Sequence, residues 1–143
     1  MPQKYLVTVD FSSLAVLGLK RAILLAQGRD IQIDILHVLA DFSHTPGLAH
    51  PAAADLLHAA IAGERKQVKA ELDALMLQIP TEHRGQGLIK EGQPAATICD
   101  VAREGYDMLI LSTHGRTGLK HMLIGSVAER VVRFATIPVL VVR

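Results

Sequence analysis

The chain has 143 residues, half of them hydrophobic, and its 15 basic and 14 acidic residues leave a net charge of +1. This composition favours a single domain, residues 1–143, with one hydrophobic core. The balanced charge and the 3% aromatic content give no reason to expect nucleic-acid binding. A single cysteine excludes an intramolecular disulfide, and no apolar run is long enough to span a membrane. We expect a soluble cytoplasmic protein that does not insert into membranes.

The hydrophobic pattern predicts five strands that alternate with four helices. In chain order these are a strand at 4–10, a helix at 12–27, a strand at 31–39, a helix at 52–79, a strand at 87–92, a helix at 94–105, a strand at 107–113, a helix at 125–136 and a strand at 137–143. Ser12 or Ser13 can cap the first helix, and Gly28 ends it. Pro80 stops the second helix, and Pro94 suits the first turn of the third.

Strands that alternate with helices imply right-handed crossovers and a parallel sheet covered on both faces. The continuously apolar strands MLIL (108–111) and VLVV (139–142) agree with burial on both faces. Such sheets bind ligands beyond the carboxyl ends of their strands, where the strand order reverses. The candidate positions are therefore residues 10–12 after the first strand, 38–39 after the second, and the stretch that follows the fourth.

That last stretch reads STHGRTGLKHMLIGSVAER, residues 112–130. It does not fit the Walker A loop, because six residues separate Gly118 from Gly125 and no lysine precedes Ser126. It does not fit the dinucleotide fingerprint G-x-G-x-x-G either. Glycines nevertheless let backbone N–H groups converge on an anion, and Gly125-Ser126 lies where a helix begins, at the positive end of its dipole. Positive charge is added by Arg116, Lys120 and His121.

The same residues have an explanation that needs no ligand. Ser126 and Glu129 form the S-x-x-E pattern of a capping box, in which the two side chains satisfy the free N–H groups of a helix start. On the pattern alone, a phosphate site and a simple helix cap are equally good interpretations.

The chain resembles the universal stress protein (UspA-like) family along essentially its whole length. Nucleotide-binding members carry G-x2-G-x9-G-[ST] after the fourth strand, and here Gly115, nine further residues and Gly125-Ser126 match its last two glycines and its hydroxyl. Ser112 replaces the first glycine. The segments VTVDFSS, ILHV, EGQPAATICDVAREGYDMLILSTHG and IPVLVVR are also similar to the family.

The resemblance implies a flavodoxin-like, Rossmann-like α/β sandwich of the adenine nucleotide alpha hydrolase-like kind. Its five-stranded parallel sheet would have the strand order 3-2-1-4-5. It implies an adenine nucleotide, ATP or AMP, between strands 1 and 4, and it allows Mg²⁺ or Mn²⁺ beside ATP. It also implies a homodimer through the last strand, residues 137–142, which would cover an otherwise exposed apolar edge.

Family roles can be carried over to particular positions of this sequence. Asp10 and Val38 would contact the adenine and ribose end. The phosphates would be held by Gly115, Gly125, Ser126 and the N–H of Val127. Three further residues line the same loop: Thr113, His114 and Arg116.

Other candidate groups point to structural roles. His44, His50 and His58 lie close in sequence, but no metal-ligand spacing accompanies them, so no protein metal site is predicted. His37 lies inside a predicted strand and is expected to bond to backbone. Cys99 falls on the inward face of a helix and is expected to be a buried structural thiol.

No Ser-His-Asp arrangement can be read from the sequence. The pattern therefore favours a stress-response module that binds nucleotide and hydrolyses ATP slowly or not at all. Two alternatives remain open. One is a weak ATPase in which Asp10 or His114 positions metal or water, and the other is a member that binds no nucleotide and acts through its dimer surface.

Overall fold

The structure, a computed structural model, describes residues 1–41, 50–113 and 124–143. Its strands are β1 (Gln3–Thr8), β2 (Ile31–Leu39), β3 (Arg84–Glu91), β4 (Met108–Ser112) and β5 (Val139–Val142). Its helices are α1 (Ser13–Ala26), α2 (Pro51–Met76), α3 (Pro94–Ala102) and α4 (Ser126–Phe134), with a short 3-10 helix at Thr81–His83. The alternation of strands and helices predicted from the sequence is confirmed. Within the described residues, no helix is both long and apolar enough to cross a membrane.

The five strands form one sheet in the order β3-β2-β1-β4-β5, and each neighbouring pair is parallel. The predicted order 3-2-1-4-5 is therefore confirmed. The chain moves outward from β1 to β3 on one side and then returns to place β4 on the other side of β1. The strand order consequently reverses between β1 and β4, which is where an open parallel sheet leaves a crevice at its carboxyl edge.

Two hydrophobic layers sandwich the sheet. On one face, side chains of β1 and β2 such as Val7 and Ile35 pack with α1 and α2. On the other face, Leu6 and Leu36 pack with α3 and α4. Neighbouring residues of a strand enter opposite layers, as the pleat requires, and this explains why the central strands are apolar without alternation.

Helix α1 begins and ends where its sequence signals predict. Ser12 is the N-cap, and its hydroxyl accepts a hydrogen bond from the N–H of Ala15 at 3.2 Å. Gly28 follows the C-cap residue with φ of 68°, the left-handed conformation that glycine adopts without strain. The turn that Gly28 makes returns the chain to the sheet at β2.

Helix α2 ends earlier than predicted, at Met76 rather than at residue 79. The N–H groups of Gln78 and Ile79 bond to carbonyls three residues back, so the chain tightens before Pro80 is reached. The guanidinium of Arg84 donates to the Ile79 carbonyl at 2.8 Å and to the Leu77 carbonyl at 3.3 Å. Arg84, five to seven residues further along the chain, therefore satisfies carbonyls just beyond the end of the helix, a side-chain contact that the hydrophobic pattern does not reveal.

Strand β3 is longer than predicted, because it begins at Arg84 instead of residue 87. Its glycine-rich start has low strand propensity, but it is held by Asp34, a buried residue of β2. The Asp34 carboxylate accepts hydrogen bonds from the N–H of Gln86 at 2.8 Å and from the Tyr106 hydroxyl at 2.7 Å. The β2–β3 register is irregular at this point.

Candidate functional site

The chain reverses within three residues between β1 and α1. The Asp10 carboxylate accepts a hydrogen bond from the N–H of Ser12 at 3.0 Å, and Ser12 then caps α1. Between them, Phe11 has φ of 62°, so its backbone is left-handed. This tight turn places Asp10 directly at the carboxyl edge of the sheet.

The end of β2 is fixed to the end of β1. The N–H of Val9 donates to the Leu36 carbonyl at 2.9 Å, and His37 Nδ1 lies 2.8 Å from the Val9 carbonyl oxygen. A carbonyl only accepts, so Nδ1 carries the hydrogen of this bond. The expected bond between His37 and the backbone is therefore confirmed, and it holds the His37 ring at the edge of the sheet.

The second wall comes from the end of β4 and the start of α4. Thr113 is buried, and its N–H donates to the Val142 carbonyl at 3.1 Å. The Thr113 carbonyl accepts a hydrogen bond from the N–H of Gly125 at 2.6 Å. The two ends of the glycine-containing stretch are thus joined directly, and residues 114–123 between them lie outside the described part of the chain.

The capping box proposed for Ser126 and Glu129 is wrong. Gly125, with an extended backbone, is the N-cap of α4, and no side chain of the described residues caps this helix. Ser126 is already the first helical residue, so its hydroxyl does not take the N-cap role. The Glu129 carboxylate instead accepts a hydrogen bond from the Arg133 guanidinium at 3.1 Å. The N–H groups in the first turn of α4 have no hydrogen-bond partners within the helix. No side chain of the described residues caps them either.

A cavity of about 300 Å³ opens between these walls. It lies at the carboxyl ends of β1, β2 and β4, beside the first turns of α3 and α4. Its lining residues are Thr8, Val9, Asp10, Leu36, His37, Val38, Pro94, Ile98, Leu111, Ser112, Thr113, Gly125, Ser126, Val127 and Ala128. We call this cavity the β1–β4 cleft.

Six of the nine site residues predicted from the sequence line the β1–β4 cleft: Asp10, Val38, Thr113, Gly125, Ser126 and Val127. The other three, His114, Gly115 and Arg116, lie outside the described residues, as does His44. Ser112, which replaces the first glycine of the family motif, lines the cleft as the last residue of β4.

Several lining residues were not among those predicted from the sequence. Thr8 and Leu36 each lie two residues before a predicted site residue, and the strand period of two places them on the same face. Pro94 and Ile98 come from the first turns of α3, which packs on the same face of the sheet as α4. Strand periodicity could have identified the first pair, whereas the second pair depends on how α3 packs.

The described lining of the cleft carries few ionisable side chains. Asp10 is the one carboxylate of the described lining, His37 Nδ1 is already engaged by backbone, and the remaining polar side chains are hydroxyls. No cluster of three or more His, Cys, Asp or Glu residues suited to a metal ion occurs in the described part of the chain. The Asp10 carboxylate, a hydrogen-bond acceptor, lies at the β1 side of the cleft, and the N–H donors of the first turn of α4 lie at the α4 side.

Cys99 is buried between α3 and α4, outside the cleft, as expected from its position on α3. Burial raises the pKa of its thiol above the ordinary value, although the Arg103 charge opposes this. A raised thiol pKa lowers the fraction of reactive thiolate, so the geometry agrees with a structural role.

The family model described as the universal stress protein family matches residues 1–143 of this chain. The chain belongs to the universal stress protein family. Among curated relatives, universal stress protein MJ0531 of Methanocaldococcus jannaschii is 32% identical, covering 99% of this chain and 82% of that protein. YxiE, a universal stress protein of Bacillus subtilis, is 29% identical over the full length of both.

Solved universal stress protein structures share the fold. The structure of MJ0577 from Methanocaldococcus jannaschii superposes with a TM-score of 0.81 at 27% identity, covering 99% of this chain and 96% of that one. A universal stress protein from Archaeoglobus fulgidus, solved in complex with dAMP, has a TM-score of 0.65 at 20% identity and covers 100% of this chain and 98% of its own. Another universal stress protein, solved in complex with cAMP, has the same score and identity, with coverage of 99% and 97%.

Proposed function

We propose that this protein binds an adenine nucleotide, ATP or AMP, in the β1–β4 cleft and acts as a stress-response nucleotide-binding module. The observation that carries the proposal is the arrangement of the cleft at the point where strand order reverses. Asp10 lines the cleft from the end of β1, and the first turn of α4, which no side chain of the described residues caps, lines it from another side. Two universal stress proteins of the same fold hold adenine nucleotides, which supports the choice of ligand.

The β1 side of the cleft suits the ribose and adenine of such a ligand, and the α4 side suits its phosphates. Asp10, as a carboxylate, accepts hydrogen bonds from ribose hydroxyls, and Val38 packs beside the adenine. The α4 end offers the N–H groups of Ser126 and Val127 and the positive end of the helix dipole, which suit phosphate oxygens. Because Gly125 has no side chain, it leaves space for phosphate oxygens to approach these N–H groups.

Four further groups complete the proposed phosphate end. Thr113 lines the cleft from the end of β4. His114, Gly115 and Arg116 follow Thr113 directly in sequence, and Gly115 is the second glycine position of the family motif. If ATP is the ligand, Mg²⁺ or Mn²⁺ would offset the charge of its phosphates.

The dimer is part of the same proposal. Strand β5 is the edge of the sheet on the β4 side, and its four residues are apolar and only partly buried. Such an edge favours pairing with another strand unless it is covered. We expect two chains to pair along residues 137–142.

Gly125 provides a direct test of where the phosphates lie. Its backbone is extended, with φ of −68° and ψ of 157°, which other residues adopt without strain. Gly125→Leu would therefore fold, while its side chain would occupy space beside the first N–H groups of α4. We expect AMP affinity, measured by isothermal titration calorimetry, to fall by at least about tenfold, equivalent to about 1.4 kcal/mol.

Gly63→Ala is the matched control, because Gly63 lies in open space on α2, outside the cleft. It should leave AMP affinity unchanged. Wild-type affinity in a folded Gly125→Leu variant would show that the phosphates lie elsewhere. Mass spectrometry of the denatured, purified protein would identify any nucleotide carried from the cell, and the expected species are AMP or ATP.

A further inference from the structure

Phe11 adopts a backbone conformation that its side chain disfavours. It is the one non-glycine residue of the described part of the chain with positive φ, at 62°. Bulky residues rarely occupy this left-handed region, because the Cβ atom crowds the following carbonyl. Such outliers persist where the surrounding structure holds them, and they are concentrated at functional sites.

The turn itself does not require a phenyl ring. Asp10 and Ser12 supply the hydrogen bonds that close the reversal, and the position between them needs only a left-handed backbone. Glycine and asparagine adopt that backbone at lower cost. The ring must therefore be explained by its own contacts.

Those contacts lead into the β1–β4 cleft. The ring centroid of Phe11 lies 4.7 Å from that of His37, with the ring planes at 35°. Phe11 also packs against the core layer between the sheet and α1 and α2. His37, held by the Val9 carbonyl, lines the cleft together with Asp10. Phe11 itself lines a separate cavity on the α2 side, which shares Asp10 and His37 with the cleft.

We propose that Phe11 is a positioning residue for nucleotide binding. Its ring, packed between the core and His37, fixes the turn that aims the Asp10 carboxylate at the ribose. This inference rests on the proposed function, because it concerns the orientation of the same ligand. It predicts that removing the ring weakens recognition of ribose hydroxyls more than it weakens binding as a whole.

The test compares the affinities of AMP, 2′-deoxy-AMP and 3′-deoxy-AMP by isothermal titration calorimetry. In the wild-type protein, at least one deoxy analogue should bind about tenfold more weakly than AMP, the effect expected when a hydrogen bond to a carboxylate is lost. Phe11→Gly and Phe11→Asn keep the backbone conformation and lose the ring, so this ratio should fall toward one. Phe11→Tyr keeps the ring and should keep the ratio.

A purely structural role would not change that ratio. Tyr106→Phe serves as the destabilised control, because it removes the hydrogen bond to Asp34 at residues that do not line the cleft. It should lower the melting temperature and leave the ratio intact. Adding Phe11→Gly to Asp10→Ala should change AMP affinity less than Phe11→Gly does alone, because the two residues act together.

The outcomes separate the two proposals. If the wild-type protein binds no adenine nucleotide, the proposed function fails and this inference fails with it. If the wild type binds AMP without discriminating either deoxy analogue, nucleotide binding stands, but the Asp10–ribose contact and with it the role of Phe11 are contradicted. If the wild type discriminates and Phe11→Gly and Phe11→Asn keep its ratio, only the role of Phe11 is contradicted.

Discussion

Asp34 is a buried carboxylate in β2, and its neighbour Gly85 has no room for a side chain. A Cβ atom on Gly85 would collide with Asp34 Oδ1 and would lie 2.9 Å from the Ile33 carbonyl oxygen. The backbone oxygen has little freedom to move away. Glycine is required here because the backbone of β3 approaches β2 closely, not because of an unusual φ.

We therefore predict that Gly85→Ala destabilises the protein by about 1–3 kcal/mol, the usual cost of forcing atoms into a packed site. Urea unfolding measures the change. Gly63→Ala is the opposite case, because nothing lies within 4 Å of the added Cβ in the middle of α2. It should stabilise the protein by about 0.5–1 kcal/mol. Equal stability of the two variants would contradict this account of Gly85.

Two residues of the candidate site could be predicted from the sequence because they lie at the ends of strands. Asp10 and Val38 lie at the carboxyl edge, as expected for residues at the ends of parallel strands. The role of Ser126 in helix capping was predicted wrongly, because S-x-x-E patterns do not state where the helix begins. Because the N-cap is Gly125 rather than Ser126, α4 begins one residue earlier than the capping box requires. Its first N–H groups are then left without a side-chain cap from the described residues.

At the scale of elements, Asp34 joins three parts of the sheet. It connects β2 to the start of β3 through Gln86 and to the segment before β4 through Tyr106. Burial raises the pKa of the Tyr106 hydroxyl, and the hydrogen bond to Asp34 raises it further. The folded protein thus retains a proton that the unfolded chain releases above about pH 10, the ordinary tyrosine value.

The pH dependence follows from this difference. The stabilisation by Tyr106 is fully present below about pH 10 and is lost as the pH rises further, because the unfolded state then binds fewer protons than the folded state. Tyr106→Phe should cost about 1–3 kcal/mol near neutral pH. Urea unfolding at about pH 8 and about pH 11 should show this cost shrinking at the higher pH. If the cost of Tyr106→Phe stays constant or grows with pH, the raised pKa of Tyr106 is contradicted.

Element boundaries were predicted well where the signal is local. Ser12, Gly28 and Pro94 lie at the helix ends where the sequence placed them. The end of α2 and the start of β3 were missed, because both depend on side-chain hydrogen bonds that the hydrophobic pattern does not show. Arg84 bonds to carbonyls after α2, and Asp34 holds a glycine-rich segment in the sheet.

In the described part of the molecule, β5 forms one edge of the sheet and pairs with β4 alone. The Pro138 carbonyl accepts a hydrogen bond from Leu109 in β4, and the Val142 carbonyl accepts one from Thr113. Backbone polar groups of alternate residues in a strand point to opposite sides. The N–H and C=O groups of Val139 and Val141 therefore face outward, where a second chain would pair.

We predict that Val141→Pro produces a folded monomer. Proline removes the outward N–H of Val141 and leaves the hydrogen bonds to β4 in place, which an edge strand tolerates. Sedimentation velocity should show twice the 15.5 kDa chain mass for the wild type and the single-chain mass for the variant. Leu140→Pro is the control, because its N–H faces β4, and it should destabilise the fold. A Val141→Pro protein that remains dimeric would exclude pairing along β5.

The alternation of strands and helices was enough to predict a parallel sheet covered on both faces. The strand order was implied by the family resemblance, because local patterns do not say on which side of β1 each strand inserts. The candidate site exists only at the assembled edge of the sheet, where residues more than a hundred positions apart, such as Asp10 and Ser126, line one cleft.

The β1–β4 cleft is proposed to bind an adenine nucleotide. Isothermal titration calorimetry of the nucleotide-free protein with AMP and with ATP tests it most directly, supported by the melting temperature at millimolar nucleotide. We predict saturable binding of one nucleotide per chain and a rise in melting temperature, both abolished or strongly weakened in Gly125→Leu. Absence of both heat and thermal shift at millimolar AMP and ATP would contradict the claim.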